Sequence, residues 1–132
     1  MPTLESPFLW LGGEAGVRAL VERFYDAMEQ LEPELAALHQ LDEQGKISRT
    51  SRDRFASFLI GWLGGPDDYV RTHGHPRLRM RHARVPVDAR MQAAWVRSMK
   101  AALDGATLPP RGRAYLDEHF AEVAAFLRNR DD

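Results

Sequence analysis

A chain of 132 residues fits one domain with a real core, and its 18 basic against 19 acidic side chains leave a net charge of −1. That balance argues against a dedicated nucleic-acid binder, because phosphate affinity needs a basic field over a whole face. With no cysteine, disulfides, iron–sulfur clusters and thiolate chemistry are excluded, so metal ligation would fall to histidine or carboxylates. The chain opens without a basic run before an apolar core and nowhere carries 18 consecutive apolar residues, so the expectation is a cytoplasmic protein with no membrane span.

Residues 1–12 hold Pro7, Phe8, Leu9 and Trp10 without clear periodicity and read as a loosely helical lead-in broken by Gly12-Gly13. Over residues 14–30, Val17, Leu20, Val21, Phe24, Tyr25 and Met28 recur at helical spacing and predict one buried face, with Tyr25 on it. Pro33 opens a short second helix through Leu35, Leu38, His39 and Leu41, and residues 42–50 read as a polar loop turning at Gly45. Ser51 is the expected N-cap of a helix to Leu63 carrying Phe55, Phe58, Leu59 and Trp62, which Gly64-Gly65-Pro66 stops. Pro66, Asp67 and Asp68 have the composition of a further first turn leading to Tyr69 and Val70. Asp88 is set to cap a helix to about Leu103 with Met91, Trp95, Met99 and Ala102 inward and Gly105 past its end. After Pro109-Pro110, Leu116, Phe120, Val123 and Leu127 mark a last helix, and residues 129–132 read as a frayed tail. The expectation is a single all-α domain over residues 1–132.

Aromatic side chains on these inward faces are first of all a packed core, but Tyr25 and Trp95 each bring a polar hydrogen that needs a partner when buried. Such groups converging from different helices suit a polar ligand in an apolar pocket. Among five histidines, His73, His75 and His82 offer a zinc site, weakened by Pro76 and the lack of a nearby carboxylate partner. His82 stands among Arg77, Arg79, Arg81 and Arg84, followed by apolar Val85 and Val87. That combination suits a metal-bound macrocycle with two carboxylate tails, and equally a solvated basic loop. The pairs Asp67-Asp68 and Glu14 with Glu22 read as helix-start or surface charges. No nucleophile elbow, P-loop, dinucleotide fingerprint or zinc-protease motif occurs.

Arg23-Phe24-Tyr25, Gly64-Gly65-Pro66 with Tyr69, the run Gly74-His75-Pro76-Arg77-Leu78-Arg79-Met80-Arg81-His82, and Trp95 thirteen residues after that histidine together resemble the group II truncated haemoglobins. The resemblance covers roughly residues 12–103. It implies a two-over-two helical sandwich around haem b, with His82 as the proximal iron ligand and Tyr25 and Trp95 as distal groups. Ser51, Phe55, Phe58 and Trp62 fall where the distal helix lines the haem. Tyr69 and Arg81 are the expected propionate contacts, with Arg54 and Arg79 beside them, and Leu78, Val87 and Met99 complete the cofactor-binding set. The chain departs from the family pattern at His39, where many members have a phenol, in a longer loop over residues 42–50, and in a small side chain at Val85. His39 is then a third polar distal group, a neutral donor or, with a mobile loop, a sixth iron ligand; Tyr25 has the same sixth-ligand option.

The implied function is binding of dioxygen and other diatomic ligands, with a redox role toward oxygen, peroxide or nitric oxide rather than oxygen transport alone. The resemblance leaves peroxidase-like or nitric oxide dioxygenase-like activity open, with an unidentified reductase as the partner that returns iron to the ferrous state, and the expected state is a monomer or homodimer. The rival readings are a haem-based ligand sensor and a haem-free helical module docking an acidic partner through the arginine run.

Overall fold

The computed structural model describes residues 6–66 and 87–127, the side chains of residues 126 and 127 excepted. The expectations for Tyr69, Leu78, Arg79, Arg81, His82, the other residues of the arginine run before Val87 and the tail at 129–132 lie outside the described residues. Regular structure among the described residues is helical: α1 (Pro7–Trp10), α2 (Gly13–Leu31), α3 (Pro33–Ala36), α4 (Arg49–Trp62), α5 (Ala89–Asp104) and α6 (Pro110–Leu127). A lone bridge between Leu41 and Ile47 is the exception.

Helix α2 is the centre of the assembly. Its predicted face is the observed one, with Val17, Leu20, Val21, Phe24, Tyr25 and Met28 all buried. It packs on α4 and on α5, and α6 closes over α5, so α2 with α4 and α5 with α6 form the two layers expected of a two-over-two sandwich. On α5 the inward set is again Met91, Trp95, Met99 and Ala102, joined by Ala94, Ser98 and Leu103, and Asp88 caps it by accepting from the Met91 N–H at 2.9 Å. On α6, Leu116 and Phe120 are buried as expected, Val123 packs partly, and Ala124 enters the core without having been singled out.

Two boundaries differ from the sequence reading. Helix α3 ends at Ala36 instead of running through Leu41, because Leu41 takes extended backbone to pair with Ile47. Helix α4 starts at Arg49, with Ser48 rather than Ser51 as its cap; Ser48 Oγ accepts from the Ser51 N–H at 3.2 Å. Ser51 therefore lies within the first turn. The cause of both shifts is Ile47, 2% exposed, which is drawn into the core and whose N–H donates to Glu29 Oε2 at 2.6 Å. The loop is correspondingly tied down. Asp42 donates its N–H to the Lys46 carbonyl at 2.7 Å, and its carboxylate accepts from Gln44 and Lys46 N–H groups at 2.8 and 3.0 Å.

Two glycine positions show close approach rather than simple helix breaking. A Cβ at Gly65 would lie 2.6 Å from the Phe8 ring and one at Gly64, where φ is +106°, 2.8 Å from Ser6 Cβ. The lead-in helix is thus received by these glycines, with the Phe8 N–H donating to the Leu63 carbonyl at 3.0 Å. Gly105 has an ordinary right-handed φ of −85°, and its missing side chain makes room for Arg23, whose Nε donates to the Ala102 carbonyl at 2.9 Å. Arg23 therefore serves the carbonyl end of α5.

Candidate functional site

Tyr25 from α2, Phe55 from α4 and Trp95 from α5 meet around Phe24. The Phe24 ring centroid lies 4.9 Å from that of Tyr25, 5.4 Å from Phe55 and 5.1 Å from Trp95. Phe55 in turn lies 5.8 Å from Tyr25 and 6.3 Å from Trp95, both edge-on. Phe24 is core, 1% exposed, and the rings around it carry the two polar hydrogens anticipated for a ligand pocket. Burial pushes the Tyr25 phenol well above its usual range, and the nearby Arg52 charge opposes this only in part. Tyr25 is accordingly a neutral O–H donor across the physiological range.

His39 stands edge-on to Tyr25, with ring centroids 5.5 Å apart. Its Nδ1–H donates to the Leu35 carbonyl at 3.0 Å, since a carbonyl can only accept. In a neutral imidazole Nε2 then carries a lone pair, so of the two expected roles, neutral donor or iron ligand, this tautomer suits the ligand. The turn that places it follows α3, where the His39 N–H donates to the Ala36 carbonyl at 3.0 Å.

The α4 face expected to line the pocket is continuous. Ser51, Phe55, Phe58 and Trp62 share one side at helical spacing, and Phe55, Phe58 and Trp62 stack nearly parallel, each 6.4 Å from the next. Ser51 and Phe55 are half-buried, Phe58 is buried and Trp62 is 40% exposed. Arg54 lies exposed at the edge of this face. Val87 and Met99 are both in the buried core, Met99 one turn along α5 from Trp95. His82 and the other arginine-run residues lie outside the described residues, as do His73 and His75, and no group of three metal-ligating side chains occurs among the described ones.

Sequence reading missed Arg52, which is 6% exposed. Its guanidinium contacts Glu22 at 2.8 Å, Asp26 at 3.0 Å and Glu29 at 2.9 Å, while Nε donates to the Ile47 carbonyl at 3.0 Å. The same group lies 5.7 Å from the centre of the Tyr25 ring. Glu22, read as a surface charge, also pairs with Arg49, and although burial raises its pKa, the two arginines hold it below the usual carboxylate range. The signal was available: Glu22, Asp26 and Glu29 form a carboxylate stripe at helical spacing beside the apolar face of α2.

Several known proteins are similar to this chain as a whole. The family profile of bacterial-like globins matches residues 7–129. The group 2 truncated hemoglobin YjbI of Bacillus subtilis is 35% identical over 120 residues, covering 91% of this chain and 86% of that protein. Among solved structures, a cold-adapted truncated hemoglobin from the Antarctic marine bacterium Pseudoalteromonas haloplanktis is 38% identical with a TM-score of 0.87, covering 96% of this chain and 99% of that one. The group II 2-on-2 hemoglobin of the plant pathogen Agrobacterium tumefaciens is 30% identical with a TM-score of 0.87, covering 99% and 100%.

Proposed function

Because the chain belongs to the bacterial-like globins, in the group II truncated kind whose cofactor is haem, we propose that it binds dioxygen and other diatomic ligands in the pocket bounded by Tyr25, Phe55 and Trp95, and that its task is redox chemistry toward oxygen, peroxide or nitric oxide. The observation that carries this reading is the meeting of Tyr25 and Trp95, each with a polar hydrogen, around Phe24 and Phe55 in an aromatic wall contributed by three helices. The donor set fits haem: flat apolar rings on α4 match a macrocycle face, and Tyr25 and Trp95 offer hydrogen bonds to a ligand beneath it. His82 would hold the iron, and Tyr69, Arg79, Arg81 and Arg54 would meet the propionates. When bound, haem supplies the iron that takes the diatomic ligand and exchanges electrons with it.

The protein's own contribution is positioning and electrostatics. Tyr25, kept protonated by burial, and Trp95, whose indole has no acceptor lone pair to compete, both aid a ligand that gains negative charge. Phe55 and Phe58 exclude water from that side. His39, with Nδ1–H engaged by Leu35, would accept from the Tyr25 hydroxyl or ligate iron when neutral, and would donate only as imidazolium. We place the protein in the cytoplasm, served by a reductase.

The test is spectroscopic. Protein expressed with adequate haem should show a Soret band that His82→Ala weakens or abolishes; no band, or one unchanged by the substitution, overturns the haem assignment. Tyr25→Phe and Trp95→Phe should each speed dioxygen dissociation by about tenfold, the equivalent of one lost hydrogen bond of ~1.4 kcal/mol. Unchanged off-rates in both single variants and the double variant would remove the distal role. Ferric spectra of His39→Ala identical to wild type from about pH 5 to 10 would exclude ligation by His39, a range that brackets its ordinary pKa.

A further inference from the structure

The ring contacts do not stop at the pocket. From Trp95 they continue outward to Phe120 at 6.1 Å, from Phe120 to Trp62 at 5.5 Å, from Trp62 to His119 at 6.4 Å, from His119 to Tyr115 at 3.9 Å, and from Tyr115 to Trp10 at 5.5 Å. Core packing accounts for Phe120, which is 2% exposed, but not for Tyr115, which is 41% exposed, and Trp62, 40% exposed, joins the line from the α4 face of the proposed pocket. All three tryptophans of the chain stand on this line, and it ends on the surface where α1 meets α6. Tryptophan and tyrosine are the most readily oxidised side chains in a protein without cysteine. Tunnelling falls steeply with distance, so several short hops between such rings outrun one long jump. Phe120 and His119 fill the gaps, so that each hop between oxidisable rings crosses at most one intervening ring.

We infer that this ladder is an electron path from a surface site at Tyr115 and Trp10 to the pocket, and that a phenolic one-electron reductant is oxidised there when hydrogen peroxide is the oxidant. The inference rests on the peroxide branch of the proposed function. Hydrogen peroxide takes up two electrons and two protons and leaves as two waters. Each electron moves inward from Tyr115, which releases its phenolic proton to water at its exposed edge and becomes a neutral phenoxyl. The reductant then returns one electron and one proton to Tyr115 and departs as its own phenoxyl radical. Two reductant molecules are consumed per peroxide.

Haem-loaded protein is mixed with hydrogen peroxide and a nitroso spin trap, and adducts are located by mass spectrometry. Adducts on Tyr115 and Trp10 are expected, with loss of the Tyr115 adduct and a shift toward Trp62 in Tyr115→Phe, which keeps the ring and its packing. Adducts confined to Tyr25 and Trp95 in the wild type would overturn the path. A second measurement needs neither peroxide chemistry nor haem: azide radicals generated by pulse radiolysis oxidise tryptophan in the protein as purified. The tryptophyl absorbance should pass to a tyrosyl absorbance at a rate independent of protein concentration, and Tyr115→Phe should abolish that transfer. Transfer at an unchanged rate in Tyr115→Phe would sink the ladder even if the pocket binds haem, whereas a missing Soret band with transfer intact would count against the pocket alone.

Discussion

Helix α2 is gripped on two sides by different physics. Toward the start of α4, three carboxylates converge on the buried Arg52; toward α5, Phe24 meets Trp95 edge-on with ring centroids 5.1 Å apart. The apolar side is stabilised wherever rings are brought out of water, and tolerates small changes in angle. The charged side is directional: the guanidinium must meet its acceptors and the Ile47 carbonyl together, and removing one partner strands the rest. Tyr25 sits at the junction, against Phe24 and Phe55 and close to the Arg52 guanidinium. The pairing teaches that burial provides the aromatic wall around Phe24 while ionic geometry fixes where that wall stands.

Breaking the aromatic side should cost most. Phe24→Ala removes a ring packed against Tyr25, Phe55 and Trp95, and a loss of roughly 3–5 kcal/mol by denaturant unfolding is expected for a large core truncation; a loss below about 1 kcal/mol would mean the cluster is loosely packed. Arg52→Met, which keeps length and removes charge, should destabilise by about 3 kcal/mol, toward the lower end for a broken buried pair because Glu22 and Asp26 are partly solvated. A neutral result would show that the charged side contributes geometry without stability.

The two sides should also separate by pH. Glu22 has its folded-state pKa lowered by Arg49 and Arg52 against the opposing effect of burial, so its contribution is present above the ordinary glutamate value of about 4.3 and is lost as pH falls through the lower folded value. Wild-type stability should decline as pH falls from about 4.3 toward the lower folded value, and the decline should be shallower in Arg52→Met. Glu32, held low by Arg97, adds a part that salt screens because the Arg97 side of the pair is exposed. Equal acid slopes in the two proteins would remove Arg52 from the pH response. The smallest effect is expected at the helix start: Ser48→Ala should cost about 1 kcal/mol, and Ser51→Ala less, since only Ser48 caps α4.

The 3.6-residue periodicity on α2, α4, α5 and α6 was written in the order of apolar residues, because one helix face must enter the core whatever it packs against. The pairing of Tyr25 with Trp95 came from resemblance, and geometry then brought both rings to Phe24. By itself, then, the sequence determined the helices, the family and the aromatic residues that meet around Phe24. Tertiary structure alone decided three things. Ile47, in a loop of polar neighbours, became core and moved the cap to Ser48. Arg52 left the solvent because three acids on another helix could replace its water. His39 received its tautomer from the Leu35 carbonyl. Each depends on a partner supplied by packing or by the local turn of the backbone, and neither the residue's type nor its place in a periodic pattern specifies that partner.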